Sequence, residues 1–342
     1  MKFSIRLNND LPVGEYIALA QAAESAGFDQ FWVSNDLFLR SAPVILAAVA
    51  RATQRIEIGT CILNPFTINP AEIAMMAATL DELSEQRFNL GLASGAGEFL
   101  KWVGITPDAG YGKPRTALVE SVRAINALLA GARAPCDGGF LHWTGEAYLR
   151  FAPQRRVPIY IGATSPNMLR AIGEVADGGL PLLFPPEHYA AVTPYIQEGA
   201  AHAGRDTGAI DVAACIWCSI ADDRAAAEDA LREKVAYYGP AMSPRIWERL
   251  GLARADFAPI ERAIMVENDV TKAKALVTPA MLRIGVVGAP RDLIARLEGL
   301  AAMGARHLSF GPRLGRTRWR PLRRWAAKCC RTSGGADHAA RV

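Results

Sequence analysis

Apolar and polar positions along this chain switch back and forth between two periods from residue 2 to residue 311. Short β-branched runs predict strands, and stretches with apolar residues every three or four positions predict helices. KFSIRLN at 2–8 predicts the first strand. Tyr16, Leu19, Ala20 and Ala23 then recur at helical spacing until Gly27, predicting a helix over 12–27. QFWVSND (30–36), IEIGTCILN (56–64) and FNLGLASG (88–95) predict the next three strands, with helices over 42–54 and 70–86 between them.

The same rhythm continues downstream. A helix over 113–130 precedes a hairpin predicted in FLHWTGEAYLRF (140–151), with Thr144 and Gly145 near its turn. VPIYIGATS (157–165) and GLPLLF (179–184) predict the fifth and sixth strands, and a helix runs from the fifth to Asp177. A helix over 187–203 leads to IDVAACIWCSIA (210–221), the seventh strand, and a helix over 223–237 follows. Residues 238–285 are irregular in pattern, with helical pieces near 244–250 and 269–277. A helix over 290–305 and RHLSFG (306–311), the eighth strand, complete the regular part.

Eight strands alternating with helices imply parallel pairing through βα units. The fold class this predicts is α/β, a (β/α)8 TIM barrel with insertions near 136–156 and 238–285. An open doubly wound sheet is the alternative, disfavoured because no strand is followed by a GxGxxG turn. The barrel is expected as one domain over residues 1–311, with 312–342 as a basic, poorly ordered tail.

Charge changes the picture in one respect. Of 38 Lys and Arg, nine follow Gly311, against one of the 34 Asp and Glu, so the net +4 conceals a body that is acidic by four charges. An acidic body without interleaved stacking aromatics predicts no nucleic-acid partner. No apolar run reaches the roughly 18 residues of a membrane span, and MKFSIRLNND has no apolar signal core, so a cytoplasmic protein without a membrane partner is expected. Cys215 and Cys218 form a CxxC. They sit inside a strand-like run, and no second CxxC or nearby His completes a metal set, so they are expected as reduced packing residues.

Catalytic groups of a parallel barrel sit at the C-terminal ends of its strands. That rule selects Asn8 and Asn9, then Ser34, Asn35 and Asp36, then Thr60, Cys61, Ile62 and Asn64. It also selects Ser94, Gly95 and Glu98, and finally Gly162, Ala163, Thr164 and Ser165. This rim is polar but lightly charged. HExxH, GxSxG and clustered histidines are absent from the sequence, so metal hydrolysis and triad chemistry have no motif here. What remains suits a large organic cofactor laid across the mouth.

Several of these residues carry two readings. Thr164 and Ser165, before Pro166, suit either a phosphate at a helix start or a plain helix cap. Glu98, after the turn Ser94-Gly95-Ala96-Gly97, suits either proton transfer to a substrate or an exposed loop position. Asp36 suits either a cofactor contact or a helix cap. Asp81, Glu82 and Arg87 fall at the opposite rim and are assigned to stability.

WVSNDLF (32–38), IGTCILNPFTINPAEIA (58–74), ATLDELSEQRFNLGLASG (78–95) and IYIGATSPNMLRAIGEVADG (159–178) together resemble the luciferase-like monooxygenase superfamily. The similarity covers roughly residues 1–311, and is nearest to coenzyme F420-dependent methylenetetrahydromethanopterin reductase-type oxidoreductases. The resemblance implies hydride transfer between coenzyme F420 and a small-molecule substrate, with an FMN-dependent monooxygenase or an inactive flavin-binding barrel as the alternatives. It implies a homodimer. It also implies a non-proline cis peptide at Cys61–Ile62 behind the cofactor ring, with Asp36 near the ring's polar edge and Asn64, Ser94 and Gly95 facing it. Gly162, Ala163, Thr164 and Ser165 would bind the phosphate, and Glu98 would be the catalytic acid beside the substrate. Two departures stand out. Glu85-Gln86 replaces the usual Gly-Gly after the third helix, and Leu37 follows Asp36 where many deazaflavin enzymes have His.

Overall fold

A computed structural model describes residues 1–221, 223–288 and 290–311. The predicted tail over 312–342 lies outside the described residues. Eight parallel strands close into a barrel in chain order, each beside its sequence neighbour. They are β1 (Lys2–Leu7), β2 (Gln30–Val33), β3 (Glu57–Thr60), β4 (Phe88–Leu92), β5 (Ile159–Ala163), β6 (Gly178–Pro181), β7 (Asp211–Ile216) and β8 (His307–Phe310). The fold is a (β/α)8 barrel, as the pattern predicts. The strands are shorter than their sequence runs because chain beyond the last ladder bond turns outward into loops, and those ends form the rim.

Contacts divide the chain into two compact units. The larger holds Ser4–Pro181 and Ala191–Ala213. Its helices α1 (Val13–Ser25), α2 (Ala42–Ala52), α3 (Pro70–Leu83), α4 (Pro114–Leu129) and α5 (Pro166–Val175) each follow a strand or its loop. β2 and β4 are buried at every position, as expected for strands covered on both faces. A polar layer sits among these strands. Gln30 donates to Glu57 (2.7 Å), Asn89 donates to the same carboxylate (2.9 Å), and Trp32 donates to Gln30 (3.1 Å). Tyr160 donates to Asp211 (2.9 Å), and burial, helped by that carboxylate, pushes its phenol pKa up. Each buried polar atom here has a partner, which a low-dielectric interior requires.

The base of this unit is held by two arginines. Asp81, 2% exposed, takes Arg155 through both carboxylate oxygens, and Arg155 also donates to the Phe88 carbonyl (3.0 Å). Arg87 donates to the carbonyls of Ala50, Thr53 and Ile56 at 2.8–2.9 Å, placing a cation on the last turn of α2. Asp81 and Arg87 therefore serve stability, as assigned from sequence.

The hairpin differs from expectation. Its arms are Cys136–Asp137 and His142–Trp143, so Thr144 and Gly145 lie beyond it. The turn is set by Glu120, whose carboxylate accepts the amides of Gly139, Phe140 and Leu141 at 2.8–3.0 Å. That partner is far off in sequence, so local turn chemistry could not reveal it.

The smaller unit comprises Met1–Phe3, Leu182–Ala190 and the chain from Ala214. The predicted seventh strand breaks at Trp217: Cys218–Ile220 leaves the barrel and pairs in parallel with Val286–Gly288. Cys215 is buried and Cys218 half-buried, and neither is in a disulfide. The irregular region over 238–285 proves largely helical: Pro244–Leu250, Arg254–Met265, Val270–Leu276 and Pro279–Leu282. Arg254–Met265 escapes pattern reading because Pro259 interrupts it. Its inward face, Phe257, Ile260 and Ala263, packs with Trp217, Leu231 and Trp247. Among the described residues no helix is long and apolar enough to cross a membrane.

The turn after α3, where Glu85-Gln86 stands in place of Gly-Gly, carries a backbone cost. Glu85 (φ 56°) and Gln86 (φ 62°) both adopt the left-handed conformation, and the Gln86 amide closes the helix onto the Asp81 carbonyl (2.8 Å). Side chains in that region cost about 1–2 kcal/mol each, partly offset because glycine has more freedom to lose on folding. Gln86 is exposed. Gln86→Gly is therefore expected to stabilise by about 0.5–1 kcal/mol, read as a raised urea midpoint at constant slope. A lowered midpoint contradicts this account.

Candidate functional site

The rim of the larger unit is built on loops leaving β1 to β5. Asn9, fully buried just past β1, organises the loop after β2. Its amide donates to the carbonyls of Asp36 (3.1 Å) and Arg40 (2.6 Å), and its oxygen accepts the Asp36 amide (3.2 Å) and the Ser34 hydroxyl (3.4 Å). All four hydrogen-bonding positions of one side chain are spent on one loop. Asn35 bonds the Ala42 amide at the start of α2 (3.0 Å), so this residue fills the capping role considered for Asp36. Tyr16 supports the β1 end. It accepts the Leu11 amide (3.0 Å) and donates to the Asn8 carbonyl, and burial pushes its pKa up to about 12, keeping the donor protonated.

The end of β3 is held from both sides. Thr60 is fully buried, and its hydroxyl donates to the Gly91 carbonyl (3.1 Å) and accepts the Gly91 amide (3.0 Å). A Cβ on Gly91 would stand 1.9 Å from the Thr60 carbonyl oxygen, so only glycine permits this approach. The Cys61 amide then bonds Val33 of β2 (2.8 Å), and the Leu63 amide bonds Gly91 of β4 (2.9 Å). Between these two anchors the Cys61–Ile62 peptide is cis, as the resemblance implies. A second cis peptide, Phe184–Pro185, follows β6.

Asn64 and Gly95 meet above β4. Asn64 is buried, and its oxygen accepts the amides of Phe66 (3.1 Å) and Thr67 (3.0 Å), which folds its own loop. Gly95 (φ 74°) leaves no free volume: a Cβ there would lie 3.1 Å from Leu100 Cδ1 and 3.4 Å from Asn64 Cγ. Tyr111 donates to the Gly95 carbonyl (3.3 Å), while Ser94 reaches the same oxygen only at 3.5 Å. Glu98 lies on the short helix Gly97–Leu100, and its side chain is outside the described residues.

At β5 a Cβ on Gly162 would come within 3.1 Å of Ile62 Cγ2 and 3.4 Å of Ala93 Cβ. The structure thus brings Ile62, Ala93 and Gly162 together on the mouth floor. Thr164 and Ser165 are exposed before α5, and Ser165 makes no side-chain cap bond. The exposed hydroxyls at this helix start suit an anionic group, and the packed glycine backbone suits a flat one. The residues present therefore fit a large phosphorylated organic cofactor. Among the described residues no group of three or more His, Cys, Asp or Glu is placed to hold a metal ion. Asn9 and Thr60, which the strand-end rule selects, support this rim, and so does Tyr111, which that rule does not select. Asn9 and Thr60 carry the signal of a polar residue at a strand end, whereas Tyr111 carries none.

A barrel with a rim of backbone, amides and hydroxyls is that of a cofactor-binding enzyme. A model of the luciferase-like monooxygenase family matches residues 1–307, and the chain belongs to that family. It is 33% identical over 316 residues to a 5,10-methylenetetrahydromethanopterin reductase of Methanolobus tindarius, covering 92% of this chain and 95% of that protein. It is 29% identical over 308 residues to an F420-dependent glucose-6-phosphate dehydrogenase of Nakamurella multipartita, covering 86% of each. Among solved structures, the coenzyme F420 dependent tetrahydromethanopterin reductase of Methanopyrus kandleri superposes with a TM-score of 0.88 at 26% identity, covering 97% of this chain and 99% of that one.

Two expectations follow. Asn9→Ala would strand the loop groups it bonds, each costing about 1–3 kcal/mol. Urea unfolding should show a loss of about 2–4 kcal/mol; a loss under about 0.5 kcal/mol contradicts the anchoring role. In the smaller unit, after β6, burial and then Arg249 lower the His188 pKa from 6.5 to about 4. The unfolded chain then binds more protons between these values, so the contribution is full above pH 6.5 and lost as pH falls toward about 4. Unfolding midpoints of His188→Gln should decline less over that window than wild type; parallel declines overturn the assignment.

Proposed function

We propose that this protein is an oxidoreductase that moves a hydride between coenzyme F420 and a small organic substrate. The observation that carries the reading is that methylenetetrahydromethanopterin reductases, one of them named as coenzyme F420 dependent, match nearly the whole chain. Bound F420 supplies a ring carbon that gives or takes the hydride, as cofactors do in such sites.

The chain's own residues bind and orient. The Cys61–Ile62 backbone lies against one face of the ring and leaves the other to the substrate. Asp36 meets the ring's polar edge, with its position set by Asn9. Asn64, Ser94 and Gly95 line the β3 and β4 side. Gly162 and Ala163 admit the cofactor close to the backbone, while Thr164 and Ser165 bind its phosphate. Glu98 exchanges a proton with the substrate as the hydride moves. The reading makes the protein a cytoplasmic homodimer, with residues 1–311 acting as one barrel and with no nucleic-acid or membrane partner.

Titration of the purified protein separates this reading from a flavin enzyme. F420 should bind saturably at micromolar concentration or below, with no comparable affinity for FMN; tight FMN binding without F420 binding overturns the proposal. Thr164→Ala combined with Ser165→Ala should weaken F420 by about tenfold, the loss of a charge-assisted bond or two. Sedimentation of the loaded protein should give twice the 36.8 kDa chain mass; a monomer removes the dimer from the reading.

A further inference from the structure

Two large aromatic side chains stand in solvent on the rim loops. Phe38, 72% exposed, lies on the loop after β2, and Trp102, 61% exposed, lies on the segment after β4. Their ring centroids are 6.2 Å apart at 34°. Trp102 also meets Phe99 edge-on at 5.1 Å. β2 and β4 are the two neighbours of β3. The pair therefore joins the loops on either side of the strand that runs into Cys61–Ile62.

Neither ring is exposed because its loop is loose. Phe38 sits in a turn pinned by bonds from the Leu39 amide to Asp36 and from the Arg40 amide to Asn9. Its backbone is left-handed, φ 63°, a conformation that aromatic residues rarely adopt. Trp102 follows Leu100, which is buried, and Gly104 (φ 79°) ends the segment. Both anchors are firm, and in both places the chain holds a ring outward.

The geometry points to Phe38 and Trp102 as specificity-determining residues that stack on a flat heteroaromatic ring of the substrate. This rests on the functional reading above and narrows it, since the relatives include enzymes named for a pterin derivative and for a sugar phosphate. Aromatic faces stack favourably on planar π rings. The two rings offer stacking faces, which a flat ring uses more fully than a second copy of the chain would.

The test uses F420-loaded protein titrated calorimetrically with folic acid, as a flat pterin probe, and with glucose 6-phosphate as a polyol probe. Phe38→Ala and Trp102→Ala should each weaken folic acid by about tenfold, with F420 affinity unchanged. Trp102→Phe, which keeps a ring, should stay within about threefold of wild type. Phe38→Gly relaxes the backbone, so its thermal midpoint should hold or rise while folic acid affinity still falls; a merely structural Phe38 would not give that split. Unchanged folic acid affinity in the alanine variants, absence of folic acid binding by wild type, or a changed oligomeric mass with folic acid binding intact overturns the inference alone. Wild type that takes up no F420 overturns the functional reading and this one together.

Discussion

The rim depends on how β3 ends. A strand in a closed barrel must stay bonded on both edges, yet this one must also release its backbone toward the mouth. Thr60 reconciles the two demands through its hydroxyl, which donates to the Gly91 carbonyl and accepts the Gly91 amide. That exchange brings β3 and β4 so close that a Cβ on Gly91 has no room. With the pair locked, the next amide bonds β2 and the one at Leu63 bonds β4 again. The Cys61–Ile62 peptide is suspended between these anchors. Loss of the hydroxyl would take the acceptor from the buried Gly91 amide and leave the Gly91 carbonyl with the Leu63 amide alone, loosening the anchor on which everything beyond Thr60 rests.

The same economy governs the larger unit as a whole. Formal charge is spent at the base, where Asp81, Arg155 and Arg87 satisfy carbonyls and helix ends. The upper loops are instead folded by neutral amides, Asn9, Asn35 and Asn64, each saturating backbone groups of one turn. Amides position a loop without setting up a strong field. A rim ordered that way presents little electrostatic bias to a ring laid on it, and under the proposed reading phosphate recognition falls to the separate helix start at Thr164 and Ser165.

Much of this was legible in the sequence because the barrel repeats one local rule. Each βα unit announces itself by period, and the barrel rule alone selected Asn9, Thr60, Cys61 and Gly162 as rim residues. What escaped depended on distant partners. Glu120 sets a hairpin turn 19 to 21 residues away, which moved the hairpin off its predicted place. Arg254–Met265 is helical despite Pro259 because its inward face packs on Trp217 and Trp247. The seventh strand splits because Cys218–Ile220 finds Val286–Gly288, a pairing no local pattern announces. Asn64 shows the limit at the site itself: position marks it as rim, but only the fold shows its oxygen committed to its own turn.

Left-handed residues offer a way to tell cost from purpose. Glu85 and Gln86 adopt that conformation at the base, exposed, where the backbone closes the end of α3. Glycine would serve the same helix end better, so the cost there is one the fold tolerates. Phe38 adopts the same conformation on a rim loop, where four bonds from a buried asparagine fix the turn. Glycine would relax that backbone too, but would remove the ring that meets Trp102. Backbone strain by itself does not mark function; strain that presents a specific side chain beside a binding mouth gives a hypothesis of function. On that criterion the two sites separate, and the rim is where the side chain, not the backbone, is what the sequence retains.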